Sequence, residues 1–132
     1  MTINKSTLDW WNKQNQKVRY EAIDNNTNRI ELKEALLKFN EWFHNNNIKY
    51  VWANSPSFDC VILEQAYKKT GVDIPWKYWN LRDCRTIIDL ARIRVVHETN
   101  LDKRNDNSHH SLYDCYKQIL NVQKSYYKLK CY

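Results

Sequence analysis

The chain has 132 residues and a mass of 16.1 kDa, which predicts one domain with a real hydrophobic core. Hydrophobic residues at 42% and aromatics at 14% exclude a disordered chain, and no apolar run approaches the about 18 residues of a membrane span. One glycine, Gly71, excludes Walker A loops, Rossmann fingerprints and Gly-rich lids, while the net charge of +6 permits a polyanionic partner without requiring one.

Residues 6–15 read as a short helix, with Ser6 as N-cap and Asp9 completing a weak capping box. Residues 24–29 are a polar turn. The clearest amphipathic helix covers 30–45, where Leu32, Leu36, Phe39 and Phe43 recur at helical spacing, flanked by Ala35 and Trp42. Asn45–Asn47 end it, and residues 49–53 have strand composition. Residues 54–57 are a turn into a helix over 58–70, with Phe58, Ile62 and Ala66 on its inward stripe and Gly71 at its C-terminal stop.

An aromatic cluster follows, Trp76, Tyr78 and Trp79, read either as core or as a base-stacking surface. Residues 84–91 fit a strand or a short helix. Residues 98–108 are polar and read as a mobile loop. The last helix covers 110–128, with Leu112, Cys115, Tyr116, Ile119 and Tyr126 inward and a basic end at Lys117, Lys124, Lys128 and Lys130. The order of elements points to an α/β domain, yet two strands are too few for a self-sufficient sheet.

The cysteines, Cys60, Cys84, Cys115 and Cys131, lack zinc-knuckle spacing. Each has apolar neighbours, which predicts reduced, buried thiols in a reducing, cytoplasmic compartment.

Three places carry candidate chemistry. Asp59 follows Asn54-Ser-Pro-Ser-Phe58 and opens a helix, where the positive helix end suits an anionic metal ligand; an ordinary N-terminal helix acid is the alternative. His109 and Asp114 stand five apart, about 140° net around a helix, so they converge only if His109 folds back from the preceding loop. The alternative is a solvated loop histidine and a surface acid, and His110 competes for any role given to His109. Finally, Arg82 and Arg85 flank Asp83, which suits internal ion pairing or phosphate contact.

These residues resemble a known family. Asn54-x-x-x-Phe58-Asp59-x-x-x-Leu63 is similar to the second motif of the DEDDh 3'–5' exonucleases, which have an RNase H-like fold. His109-His110-Ser111-Leu112-Tyr113-Asp114 resembles their third motif, a His five before an Asp. Trp79-Asn80-x-Arg82-Asp83-x-Arg85-Thr86, and Thr7-Leu8-Asp9-Trp10-Trp11 near the start, are similar to the phage exonuclease A branch and related bacterial exoribonucleases. The resemblance implies two Mg²⁺ or Mn²⁺ ions, with Asp59 and Asp114 as metal ligands and His109 as general base. Asn54, Phe58, Arg82 and Arg85 would contact nucleic acid bearing a 3' end, and no membrane is involved.

The family's other two carboxylates form an Asp-x-Glu on an opening strand before the Trp-Trp segment. No Asp-x-Glu, Asp-x-Asp or Glu-x-Glu occurs in this sequence. The expectation is therefore an N-terminally truncated RNase H-like α/β fold. Its sheet and metal site would be completed by a separate N-terminal fragment or by self-association. A non-catalytic module binding nucleic acid or protein, and a fragment of a longer product, are the alternatives.

Overall fold

A computed structural model describes residues 4–25, 27, 29–93 and 110–130. They fall into two units, residues 1–29 with 94–123 and residues 30–93 with 124–132. The expected loop at 98–108 lies outside the described residues.

Asparagine side chains start the first unit's opening helices. Asn4 Oδ1 accepts from the Ser6 N–H at 2.9 Å and caps α1 (Lys5–Trp11). The cap is thus Asn4 rather than Ser6, because the capping oxygen must precede the first turn and accept from one of its free N–H groups. Asn15 Oδ1 accepts from the N–H groups of Lys17 and Val18 and caps α2 (Gln16–Arg19). The helix expected over 6–15 therefore ends early, at Trp11, and a second helix starts only at Gln16.

Helix α2 widens into a π-helical turn, Tyr20–Asp24, closed by Asn25 N–H donating to Tyr20 O at 2.7 Å. Arg29 donates to the carbonyls of Ile23 and Asn25 and so satisfies groups that the turn's end leaves open.

The second unit is built on α3 (Leu32–Asn45), β1 (Val51–Ala53), α4 (Asp59–Thr70), β2 (Leu81–Asp83) and α5 (Cys84–Ala91). Helix α3 forms where the periodicity predicts it. Leu36 and Phe43 are buried and Phe39 packs beside them, whereas Leu32 and Trp42 remain exposed. Asn47 takes a left-handed φ of 51° just after it, one of the few non-glycine residues that does so cheaply. Gly71, at φ 67°, stops α4 as expected, its N–H donating to Tyr67 O.

Strands β1 and β2 form a parallel two-stranded sheet with Val51 opposite Leu81, Trp52 opposite Arg82 and Ala53 opposite Asp83. Parallel strands need a crossover, and α4 is the helix within it. The second strand is residues 81–83; residues 84–91, which pattern left open, are helix. The reason is Asp83. Its carboxylate accepts from the Arg85 N–H and the Thr86 hydroxyl, ending the strand and starting α5 in one residue.

The core of this unit is Leu36, Phe43, Tyr67 and Trp76, with Ile48, Val51, Leu63, Val72 and Leu81 packed against it. Tyr67 and Trp76 meet edge to face at 5.7 Å. Their polar atoms are satisfied: Tyr67 Oη donates to Asn40 Oδ1 and Trp76 Nε1 donates to Glu64 Oε1. The inward face of α4 is therefore Cys60, Leu63 and Tyr67. The expected stripe fails at two positions, since Phe58 is 66% and Ile62 57% exposed. The α4 segment carries apolar residues nearly all round, so periodicity does not single out one face.

Helix α6 (Ser111–Lys130) also departs from expectation. Leu112, Cys115, Tyr116, Ile119 and Tyr126 are exposed, while Asn121 and Ser125 are buried. The buried pair stands four apart, so a polar stripe is the covered one. Among the cysteines, Cys60 and Cys84 are buried and reduced as expected, but Cys115 is exposed and Cys131 lies outside the described residues. No helix among the described residues is long and apolar enough to cross a membrane.

Candidate functional site

The carboxyl ends of β1 and β2 lie side by side, because Ala53 pairs with Asp83. The chain leaves β1 through Asn54 and the 55–58 turn and enters α4 at Asp59. It leaves β2 directly into α5. Asn54, Phe58 and Asp59 therefore belong to the same sheet edge as Asp83, Arg85 and Thr86. Parallel α/β sheets bind ligands outside this edge.

Local geometry sets the loop. Ser55 has φ 148°, a region L residues seldom occupy, and Pro56 follows it. The Ser55 carbonyl accepts from the N–H groups of Phe58 and Asp59 at 2.9 and 3.0 Å, and the Ser55 and Ser57 hydroxyls lie 2.8 Å apart. The result opens α4 with Asp59 as its first residue, exposed at the positive end of the helix. Asn54 and Phe58 are exposed beside it.

Cys60, next to Asp59, is buried. Burial pushes its thiol up from the ordinary value, with the Glu64 and Asp59 carboxylates adding to the effect. Such a thiol is a poor nucleophile, so Cys60 is a packing residue.

The two arginines have different neighbours. Arg85 is exposed, and its Nε stands 4.0 Å from Asp83 Oδ1, a loose surface pair. Arg82 is half-buried. Its Nη1 donates to the carbonyls of Trp79 and Leu81, each at 2.8 Å, and its guanidinium lies 4.3 Å from the Tyr50 ring centroid. In the sequence Tyr50 reads as strand composition alone, and the one local signal of its role is the adjacent base, Lys49.

In the first unit, Asp114 is in the first turn of α6, and its carboxylate meets Lys117 Nζ at 2.8 Å. His110 stands just before the helix. Its Nδ1 accepts from the Leu112 N–H at 3.3 Å, and its Nε2 lies 3.2 Å from Glu21 Oε2. Both contacts are met when Nε2 carries a proton toward Glu21 and Nδ1 accepts from Leu112. His110 is thereby occupied as a cap and a tie to Glu21. His109, the residue the motif assigns as base, lies outside the described residues.

Asp59 and Asp114 supply oxygen donors of the kind Mg²⁺ or Mn²⁺ takes. Among the described residues, however, no group of three or more His, Cys, Asp or Glu side chains is arranged to hold a metal ion. The described donors alone do not fit a pair of divalent ions.

Comparison with known proteins gives the site its context. The exodeoxyribonuclease of Enterobacteria phage T4 is 29% identical to the chain over 142 residues, covering 92% of this chain and 62% of that protein. The chain thus spans less than two-thirds of that relative's length. No solved structure matches. The family described as the 3'-5' exoribonuclease Rv2179c-like domain matches residues 1–126, nearly the whole chain, and bears out the resemblance to 3'–5' exonucleases. The chain, an α/β protein with Asn54, Phe58 and Asp59 at the carboxyl edge of its parallel strands, belongs to this 3'–5' exonuclease family.

Proposed function

We propose that the chain serves 3'–5' exonuclease chemistry of the DEDDh kind on an RNase H-like frame, releasing nucleoside 5'-monophosphates from a 3' end. The observation that carries this reading is Asp59, exposed at the first turn of α4 and at the carboxyl edge of a parallel β–α–β unit, within the segment that resembles the second DEDDh motif. Asn54, Phe58 and Arg85 flank it and would position the terminal nucleotide. Asp59 and Asp114 are the metal-ligand candidates, and His109 is the candidate base that takes the proton of the attacking water. Bound Mg²⁺ or Mn²⁺ would supply electrostatic stabilisation at the scissile phosphate.

Two carboxylates are too few for a pair of divalent ions, so the reading includes a source of further oxygen ligands. A separate segment carrying Asp-x-Glu would supply them and extend the sheet, or self-association would bring carboxylates of a second copy. Its support is that the two strands are three residues each and that Leu112, Tyr116 and Ile119 of α6 are exposed. The reduced cysteines suit a cytoplasmic setting. A second reading, a non-catalytic nucleic-acid- or protein-binding module, is favoured by the lack of a three-ligand cluster among the described residues.

The test is degradation of 5'-labelled, 3'-tailed DNA and RNA with Mg²⁺ or Mn²⁺, by the chain alone and with an Asp-x-Glu fragment added. A product ladder lost in Asp59→Ala and Asp114→Ala supports the nuclease. Binding without any shortening, with or without the fragment, moves the assignment to the binding module. The family's ribonuclease description and the phage relative's deoxyribonuclease name make both substrates necessary arms.

A further inference from the structure

The opposite edge of the same sheet carries a second group of residues. Tyr50 immediately precedes β1, and the 3₁₀ turn Tyr78–Asn80 immediately precedes β2. Because the strands are parallel and in register, both lie at the amino edge. Three-residue strands separate this edge from the carboxyl edge by about 10 Å.

The side chains there are unusual for a surface. Tyr78 is 79% exposed, Trp79 60% and Tyr50 43%. Core packing has taken Trp76 alone from the aromatic cluster. Tyr78 and Trp79 hold each other edge to face at 4.8 Å. Cations accompany them. Lys49 Nζ lies 5.2 Å from the Tyr50 ring centroid and Arg82 lies 4.3 Å from it. Arg82 also grips the Trp79 carbonyl, so it ties the 78–80 turn to Tyr50. Lys77 adds an exposed charge, and neither 48–54 nor 74–82 contains a carboxylate.

We propose that Tyr50, Tyr78 and Trp79, with Lys49, Lys77 and Arg82, form an accessory platform for single-stranded nucleic acid, distinct from the carboxyl-edge site. Exposed rings accept bases by stacking whatever the sequence, and the lysines meet phosphates. A cationic aromatic surface complements a polyanion with π-faces. Arg82 is a positioning residue here, holding the rings in place. The inference rests on nucleic acid being the substrate class, as proposed above, and adds where the strand is held away from its reacting end.

The test is fluorescence anisotropy of labelled oligothymidylate and oligouridylate with the full chain in EDTA, where no hydrolysis occurs. Trp79→Ala and Tyr78→Ala are each expected to weaken binding roughly 5- to 100-fold, the weight of a stacked base. Trp79→Phe should recover most of the loss, and Trp42→Ala, an exposed tryptophan on α3, should lose nothing. Lys49→Gln and Lys77→Gln should each flatten the salt dependence by about 0.7 in log–log slope. Tight binding by the unsubstituted chain with no change in the Trp79 and Tyr78 variants overturns the platform and leaves the nuclease reading standing. Neither binding nor shortening of any oligonucleotide overturns both.

Discussion

Tyr67 Oη donates a 2.6 Å hydrogen bond to Asn40 Oδ1, and Asn40 Nδ2 in turn donates to the Asp73 carbonyl at 2.8 Å. One fully buried phenol thus links α4, α3 and the loop after Gly71. Tyr67→Phe removes only the hydroxyl and should cost about 1–2 kcal/mol, a hydrogen bond plus an unpaired acceptor. Tyr67→Ala empties the centre of the core and should cost about 3–5 kcal/mol. Urea unfolding checks both values.

The two faces of the α3–α4 pair should respond oppositely to truncation. Leu36→Ala, at a buried core position, should destabilise by about 2–5 kcal/mol. Phe58→Ala and Ile62→Ala, at exposed positions, should stay within about 0.5 kcal/mol of the parent. Phe58→Ala should instead weaken 3'-end binding, read as a raised KM. A large stability loss at Phe58 would contradict its exposure.

The cysteines should separate by reactivity. Cys115 is exposed, whereas Cys60 is buried with its thiol pushed up from 9.0 by burial and by Glu64 and Asp59. Timed alkylation at neutral pH, followed by mass spectrometry, should label Cys115 first and Cys60 only on unfolding.

The same burial makes the fold sensitive to alkali. Cys60 and Tyr67 both have raised values in the folded chain, from 9.0 and 10.0, Tyr67 through burial alone. Raised acids are neutral when folded and ionise first when unfolded, so their contribution is intact below about pH 9 and falls as pH rises beyond it. The urea midpoint should decline above pH 9, and Cys60→Ala should reduce that decline while Cys115→Ala should not.

The adjacent histidines should divide by role. His109→Ala removes the proposed base and should lower kcat about 10²–10⁴-fold with little change in melting temperature. His110→Ala breaks the ties to Glu21 and the Leu112 N–H and should lower stability by about 1 kcal/mol. Long-range ¹⁵N spectra should show His110 with its proton on Nε2.

Much of this molecule is determined locally. The i, i+3, i+7 spacing of Leu36, Phe39 and Phe43 specifies α3, since a helix puts those residues on one face. Gly71 marks the end of α4 because it takes a left-handed φ at no steric cost. The resemblance to 3'–5' exonucleases is legible because the residues of each motif are close in sequence, and the family match over residues 1–126 agrees with it.

Other features depend on what each residue meets across the fold. Nothing near Tyr67 in sequence announces Asn40 as its partner, and only the packing of α3 on α4 makes Cys60, Leu63 and Tyr67 the buried face. Residues 84–91 suit strand and helix alike until Asp83 pairs with Ala53 and caps α5. Apolar spacing in α6 defines a stripe, yet Asn121 and Ser125 are the residues covered. The sequence by itself determined α3, the last helix and the glycine stop of α4, because these follow from short-range backbone sterics and periodicity. Tertiary structure decided which faces are buried and which aromatics stay outside, because burial depends on surfaces brought together from distant parts of the chain.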